Sequence, residues 1–281
     1  MEWNNEIVRS RQNRTVVEIC KLADRKARED KRLFRFDGIK LFVEALQNGL
    51  DLQVVALRES SAEQVRDAAV KACGESAFEG SGRVLLLSDE LFDKISEEKS
   101  PEGVICVAKY IDKFQKNITI YNSADFLRMK SDRIVLLESV RDPSNIGAVI
   151  RSAAAIGVDR LILSADCADI YHPRAIRASM GTLFNQPIDR VANLADVIAG
   201  LRQNGRRVFA AALREDAKVL GSFEIEEGDC VVIGNEGHGL TNETVMACDG
   251  CVIIPMTSRA ESFNAAVAAS ILMWEFVRKR G

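Results

Sequence analysis

The second half of the chain alternates short apolar runs with helical segments, and this alternation constrains the fold more than any other feature. The runs are RIVLLE, RLILS, RVFAAAL, DCVVIG and CVIIPM, and each is almost wholly apolar. A strand that is apolar on both sides must be covered on both faces, which is typical of a parallel sheet flanked by helices. Residues 131–281 therefore predict an α/β domain with a mostly parallel sheet.

Residues 36–110 repeat the alternation on a smaller scale. The pattern predicts helices over 36–49, 61–73 and 89–98 and strands over 52–59, 83–88 and 103–110. The next stretch, 111–131, is polar and does not continue the alternation of helices and strands, so the domain boundary is expected there. We predict a smaller α/β domain over 1–115, a linker over 116–130 and the larger domain over 131–281.

Charge is distributed unevenly along the 281 residues. The formal net charge is −3, yet residues 1–40 hold eleven Lys or Arg against seven Asp or Glu. A basic N-terminal arm on an acidic body is compatible with binding a polyanion. No secretory signal opens the chain and its longest apolar run, 265–274, is too short to cross a bilayer, so we expect a cytoplasmic protein without a membrane partner.

The seven cysteines are an odd number scattered along the chain, which indicates reduced thiols. Cys248 and Cys251 form a CxxC pair. Zinc would need two more ligands nearby, and apart from the other cysteines the chain offers only His172 and His238. We therefore expect no metal site.

The segment DPSNIGAVIRSAAAIG, residues 142–157, predicts one short helix. Pro143 and Asn145 mark its start and Gly157 its end. At 100° per residue, one stripe collects the apolar core candidates Ile146, Val149, Ile150, Ala153 and Ile156. Arg151 falls instead with Gly147, Ala148 and Ala155. That placement fits either an exposed arginine on an alanine-rich helix or a cation that a ligand can approach closely.

Two unusual loops precede the last helical segment, which is predicted over about 263–279. The first, GNEGHGL at 234–240, has glycines spaced G-x-x-G-x-G, so it is neither a Rossmann fingerprint nor a Walker loop. It carries a carboxylate, Glu236, in a turn whose backbone can come close to a ligand. The second is PMTSRAESFN at 255–264.

Four stretches in this order resemble the SpoU, or TrmH-like, RNA 2′-O-methyltransferases of the SPOUT superfamily. They are DPSNIGAVIRSAAAIGVDRLILS, YHPRAIRASMGTLFNQPI, VVIGNEGHGL and VIIPMTSRAESFNAAVAASILMWE, and together they cover about residues 131–278. In the first half, FRFDGIKLFVEAL and KSPEGVICVA look like the substrate-binding domain that precedes the catalytic domain in members acting on ribosomal RNA.

The resemblance implies a deep trefoil knot in the C-terminal domain, S-adenosylmethionine as cofactor and a homodimer acting on RNA. Its motifs assign catalytic roles to Asn145, Arg151, Glu236, Ser262 and Asn264. They place Leu213, Gly234, Ile254, Met256 and Phe263 around the cofactor, and Arg174 and Arg177 on RNA phosphates. Phe263 departs from the family's usual leucine, from which we expect altered packing rather than lost activity.

These motifs suggest a role for Arg151. A fixed cation beside a ribose 2′-oxygen stabilises the negative charge that develops there, and a guanidinium stays protonated in proteins, which favours electrostatic action over general-base catalysis. Glu236 would balance local charge or position Arg151, and Asn264 would hold its loop through the side-chain amide. Their structural alternatives are an exposed turn carboxylate and a helix N-cap. His238 is interpreted as a surface side chain.

The resulting hypothesis is an S-adenosylmethionine-dependent methyltransferase that modifies a ribose 2′-hydroxyl, with ribosomal RNA as substrate. A base-flipping pocket would call for several aromatic side chains, and only Phe263 lies in the motif loops. Two alternatives stay open at this point: a tRNA ribose methyltransferase, and a non-catalytic RNA-binding protein of the same fold.

Overall fold

In the computed structural model the chain forms two compact units. Unit 1 comprises Met1–Ile111 and Tyr171–Asn185, and unit 2 comprises Asp112–Ile170 and Gln186–Gly281. The structure describes residues 6–75, 77–78, 82–111, 119, 121–235, 237–257 and 262–277. Each unit contains its own sheet, of five strands in unit 1 and seven in unit 2.

The elements are numbered along the chain. The helices are α1 (Arg14–Lys21), α2 (Arg25–Lys31), α3 (Ile39–Gln47), α4 (Ala62–Cys73), α5 (Asp89–Ile95), α6 (Ser123–Arg128), α7 (Pro143–Ile156), α8 (Pro173–Ser179), α9 (Leu194–Gln203), α10 (Asn242–Ala247) and α11 (Ala265–Val277). The strands are β1 (Ile7–Val8), β2 (Leu33–Asp37), β3 (Leu52–Arg58), β4 (Arg83–Leu87), β5 (Val104–Lys109), β6 (Ile134–Leu137), β7 (Arg160–Ser164), β8 (Ile188–Val191), β9 (Val208–Ala211), β10 (Lys218–Val219), β11 (Cys230–Ile233) and β12 (Gly250–Ile253).

The sheet of unit 2 has the order β10-β12-β9-β11-β6-β7-β8, and its strand pairings among the described residues are parallel. Its central strands β6 and β11 are buried along their whole length. The predicted α/β class with a mostly parallel sheet is confirmed. The sequence did not predict β8, because Asp189 and Arg190 interrupt its apolar pattern, or the exposed two-residue β10.

Helix α7 begins and ends where the sequence predicts. The Asp142 carboxylate accepts hydrogen bonds from the backbone N–H groups of Ser144 and Asn145, and Gly157 ends the helix at φ 92°. The predicted stripe lies in the core except for Ile156, which is half-buried, and Gly147 on the small-residue face is buried too. Helix α7 packs on α11 within unit 2.

A helix occupies part of the predicted linker, which is a correction to the expected organisation. Helix α6 starts with a reciprocal cap between Asn122 and Asp125, and Phe126 enters the same core cluster as Ile198 of α9. A Cβ at Gly200 would lie 2.3 Å from the Phe126 ring, so the helices meet without room for a side chain there. Residues 116–118 and 120 of the predicted linker lie outside the described residues.

The sheet of unit 1 is mixed, with the order β1-β4-β3-β5-β2. Strands β3, β4 and β5 and helices α4 and α5 lie within or close to the predicted segments. The predicted helix over 36–49 is correct only from Ile39, because Phe36 and Asp37 end strand β2, which the short run LFRFD did not reveal.

The expected N-terminal arm is a folded part of unit 1 over its described residues. Val16 and Ile19 of α1 are buried in the core. Two of the basic residues are buried as well: Arg28 donates hydrogen bonds to the carbonyls of Leu22 and Ala23, and the Arg35 guanidinium bonds the Asp37 carboxylate. The basic excess of residues 1–40 therefore overstates the charge that is available to a polyanion.

The segment Tyr171–Asn185 belongs to unit 1, although it lies inside the predicted second domain. The Tyr171 ring stacks on Tyr110 with centroids 3.9 Å apart and lies 4.8 Å from the Phe34 ring. Phe184 packs on Phe36 at 5.3 Å. These aromatic contacts hold the segment in unit 1. A prediction that divides the chain into continuous domains cannot detect such an assignment.

Candidate functional site

Because the strands of unit 2 are parallel, their carboxyl ends meet at one edge of the sheet, where ligands bind in open α/β folds. A cavity of about 520 Å³ lies there. It is lined by residues that follow β9, β11 and β12 and by the start of α11. These include all five residues that the resemblance assigns to the cofactor: Leu213, Gly234, Ile254, Met256 and Phe263.

The turn after β11 forms one wall of the cavity. A Cβ at Gly234 would lie 2.5 Å from the backbone carbon of Gly239, so only glycine fits there without a shift of the turn. The Asn235 amide accepts hydrogen bonds from the N–H groups of Gly237 and His238 at 2.8 and 3.2 Å and donates to the Ser139 carbonyl at 2.8 Å. Asn235 therefore shapes the turn and fastens it to the end of β6, a role that the sequence analysis missed.

Glu138 anchors the far side of the same loop. Its carboxylate, which directly follows β6 and is buried, accepts a hydrogen bond from the Thr241 N–H at 2.7 Å. The hydroxyls of Thr241 and Thr244 donate to it as well. Glu138 is not among the residues that the sequence motifs predict for the site. The signal was present, because a carboxylate ends the apolar run RIVLLE, where a buried charge needs dedicated donors.

Two sequence motifs that lie far apart in the chain meet at the starts of α7 and α11. The Asn264 amide donates a hydrogen bond to the Asn145 side-chain oxygen at 3.0 Å. Asn264 also caps α11, since its oxygen accepts from the backbone N–H of Ala266 at 2.9 Å. The N-cap interpretation of Asn264 is thus confirmed, and the same side chain holds the predicted catalytic Asn145.

The other predicted catalytic residues are placed as follows. Arg151 is exposed on α7 and makes no hydrogen bond or ion pair with any residue in the described part of the chain. Ser262 is exposed and lines the cavity, as does His238, which the sequence analysis interpreted as a surface side chain. Glu236 lies outside the described residues. The structure therefore unites Asn145 with Asn264 and places Ser262 at the cavity.

A polar cluster follows β6 and β7 at the same edge of the sheet. Ser139 adopts φ 55°, and both its hydroxyl and that of Ser164 donate to Asp166. Burial raises the pKa of Asp166, but the hydrogen bonds from Ser139, Ser164 and Arg141 outweigh this effect and hold the pKa below its usual value. The cluster fixes the chain where it leaves β6 toward α7.

The two predicted RNA-binding arginines lie on α8 in unit 1. Arg174 and Arg177 are both exposed. The Arg177 Nε lies 3.9 Å from a carboxylate oxygen of Glu98. Burial and the nearby Asp37 raise the pKa of Glu98. Arg177 therefore already faces an acidic group, whereas no salt bridge joins Arg174 to the described part of the chain.

The two CxxC cysteines are free thiols, of which Cys248 is half-buried and Cys251 is buried. Burial raises the pKa of Cys248 to about 12 and also raises that of Cys251. A protonated thiol is a poor metal ligand and nucleophile. Within the described ranges no group of three or more His, Cys, Asp or Glu side chains could hold a metal ion. No helix in that part of the chain is long and apolar enough to span a membrane.

Known proteins resemble both halves of this chain. The MRM3-like substrate binding domain model matches residues 13–106. Over 268 residues the chain is 26% identical to the 23S rRNA (guanosine(2553)-2′-O)-methyltransferase RlmP of Bacillus subtilis, covering 95% of this chain and 97% of the relative. Over 151 residues it is 38% identical to the 23S rRNA (uridine(2479)-2′-O)-methyltransferase of Streptomyces viridochromogenes, covering 52% of each.

Solved structures agree with these relatives. An AdoMet-bound rRNA methyltransferase from Sinorhizobium meliloti superposes with a TM-score of 0.78 at 28% identity, covering 96% of this chain and 97% of that one. The SpoU rRNA Methylase family model matches residues 132–274, which is half of the chain, and the resemblance drawn from the four sequence stretches is confirmed. The chain therefore belongs to the SpoU rRNA Methylase family.

Proposed function

We propose that this chain transfers a methyl group from S-adenosylmethionine to a ribose 2′-hydroxyl of ribosomal RNA. The observation that carries the proposal is the cavity at the carboxyl edge of the parallel sheet, next to the hydrogen-bonded pair Asn145 and Asn264. Family membership and the 2′-O-methyltransferases among the relatives support the reaction class.

The residues of the cavity fit S-adenosylmethionine. Small-molecule pockets typically measure about 300–1,000 Å³ and combine apolar walls with a few polar groups. The cavity, at about 520 Å³, combines apolar side chains such as Val245 and Leu272 with polar ones such as Asn242 and Ser262. The bare backbone at Gly234 allows close approach to a ligand. When bound, the cofactor supplies an electrophilic methyl group on a sulfonium.

The residues of the chain then act on the ribose. Arg151 stabilises the negative charge that develops on the 2′-oxygen when bound RNA covers the site, because a cation held beside that oxygen lowers the energy of the charged state. The hydroxyl proton passes to the neighbouring substrate phosphate as the methyl group is transferred. Asn145, held by Asn264, and a substrate phosphate together orient the guanidinium. Glu236 is assigned to charge balance around Arg151, and Ser262 to the substrate side of the cavity.

Ribosomal RNA is favoured over tRNA because the first half of the chain matches a substrate-binding domain model. Helices and loops of ribosomal RNA offer shape and single-stranded bases to a separate recognition domain. Arg174 contributes a phosphate contact, and Arg177 contributes one if RNA displaces it from Glu98. An enzyme with this substrate works where ribosomes are assembled, so we place it in the cytoplasm.

The proposal includes the trefoil knot that is typical of the family, and it includes a homodimer. Val267 and Trp274 of α11 are 46% and 54% exposed, and their spacing of two helical turns puts them on one face. A second copy would cover this apolar face. We expect Trp274→Glu to shift the protein from dimer to monomer in sedimentation, whereas Glu275→Gln should not. A monomeric wild-type protein would contradict the dimer.

The function is tested by incubating ribosomal RNA with the full chain and labelled S-adenosylmethionine. Methylation at the 2′-oxygen removes the nucleophile of alkaline cleavage, so label is expected in alkali-resistant dinucleotides. Transfer RNA serves as the competing substrate. Label on the free base after glycosidic cleavage would overturn the ribose assignment, and label on tRNA alone would overturn the ribosomal substrate.

A further inference from the structure

The loop after β9 brings a cationic side chain to the cavity. Arg214 lies three residues beyond the end of β9 and lines the cavity wall. Apart from His238, it is the one residue with an ionisable side chain among the described residues of the lining. The N–H of Ala217 donates to the Arg214 carbonyl at 3.1 Å, which closes a turn and holds the backbone of this loop.

The Arg214 guanidinium makes only one weak contact with the described part of the chain. Its Nε lies 3.4 Å from an Asp216 oxygen, and the two side chains are 48% and 77% exposed. An exposed pair of this kind contributes little, and it leaves the two terminal nitrogens of the fork without a hydrogen bond to the described part of the chain. A fork of this geometry suits a carboxylate, which can accept two parallel hydrogen bonds.

We infer that Arg214 binds the α-carboxylate of S-adenosylmethionine and so favours this cofactor over ligands that lack the carboxylate. This inference rests on the proposed function. The cofactor carries two positive groups, the sulfonium and the ammonium, and one negative group, the carboxylate. The cationic Arg214 repels the first two and attracts the third. No acidic side chain is present among the described lining residues to reverse that preference.

The test compares two ligands that differ only in this carboxylate. Calorimetry on the full chain measures the Kd of S-adenosylmethionine and of its decarboxylated form for the wild type, for Arg214→Ala and for Arg128→Ala. Arg128 is the matched control, since it is exposed, lies 3.7 Å from Asp125 and does not line the cavity. A charge-assisted contact of this kind contributes about 10- to 100-fold in affinity.

We expect the wild type and Arg128→Ala to prefer S-adenosylmethionine by that factor, and Arg214→Ala to bind both ligands with nearly equal Kd. Retained preference in Arg214→Ala overturns the inference, as does an equal loss of both ligands, which would report damage to the loop. Failure of the wild type to bind either ligand would contradict the proposed function itself.

Discussion

Arg151 is the single charged residue of α7, and it is exposed beside small side chains. Its neighbours Ala148 and Ala155 leave the guanidinium open to approach, as the helical arrangement predicts. Gly234 is a second position where one residue matters, because the turn after β11 folds back onto it. At Arg151 the open surroundings matter, and at Gly234 the close approach of the turn matters. A substitution at each position has a defined expected outcome.

We expect Arg151→Ala to retain S-adenosylmethionine affinity within a few-fold and to lose most methyl transfer. In the proposed mechanism the guanidinium acts on the ribose oxygen, and removing a transition-state charge contact costs about 100- to 1000-fold in rate. Single-turnover transfer to ribosomal RNA measures the loss, and calorimetry with the cofactor is the control. Turnover near the wild-type rate would remove Arg151 from the mechanism.

Gly234→Ala should weaken cofactor binding by more than about tenfold, because the new Cβ would lie 2.5 Å from the Gly239 backbone and force the turn to shift. Gly237 of the same turn is the matched control, since the nearest atom to a Cβ there is the Asn235 oxygen at 3.5 Å. Calorimetry on both variants decides the point. Equal affinities in the two variants would show that the turn does not depend on close approach at Gly234.

Elements of unit 2 are joined at the cavity by side chains that connect a strand end to a loop. Glu138 connects the end of β6 to the start of α10 through Thr241 and Thr244, and Asn264 connects α11 to α7 through Asn145. These contacts link residues more than 100 positions apart along the chain. They fix the walls of the cavity relative to the sheet.

Glu138→Ala is expected to destabilise unit 2 by about 1–3 kcal/mol, because it leaves the Thr241 N–H and the buried Thr244 hydroxyl without their acceptor. Urea unfolding measures the cost, and faster hydrogen exchange of the Thr241 amide localises it. Glu227→Ala, at an exposed position of unit 2 with no hydrogen bond or ion pair to the described part of the chain, is the control and should change stability by less than about 0.5 kcal/mol. Similar values for the two variants would refute the anchoring role of Glu138.

At the scale of the whole molecule, the units differ from the predicted domains at two places. Phe126 of helix α6 and Met129, which follows the helix directly, enter the core of unit 2, and Tyr171–Asn185 belongs to unit 1. A fragment that begins near Ser131 therefore lacks part of its own core. It also separates Tyr171 from its stacking partner Tyr110.

We expect a fragment of residues 119–281 to melt at a higher temperature than one of residues 131–281. The longer fragment keeps Phe126, and loss of a buried phenylalanine costs about 3–5 kcal/mol. Both fragments should melt below the full chain and bind ribosomal RNA more weakly, since we propose that the first half of the chain contributes phosphate contacts. Thermal unfolding followed by circular dichroism compares the three, and equal midpoints for the fragments would show that α6 adds nothing to the stability of unit 2.

The sequence by itself determined the features that depend on local periodicity and on motif order. Apolar runs predicted the central strands of both sheets, Pro143 and Gly157 predicted the ends of α7, and the motif order predicted the family. The five residues assigned to the cofactor surround one cavity. Their roles, the knot and the dimer stay predictions.

Only the tertiary structure decided which distant residues share a core or a hydrogen bond. Arg28 and Arg35 belong to the basic excess of the sequence, yet both are buried and bonded inside unit 1. Phe126 lies in a polar stretch that predicts a linker. Glu138 reads in the sequence as the last residue of a strand, and only the structure shows that Thr241 and Thr244 donate hydrogen bonds to its carboxylate. The reason is physical: periodicity reports which side of an element is apolar, whereas burial and pairing depend on what packs against that side from elsewhere in the chain.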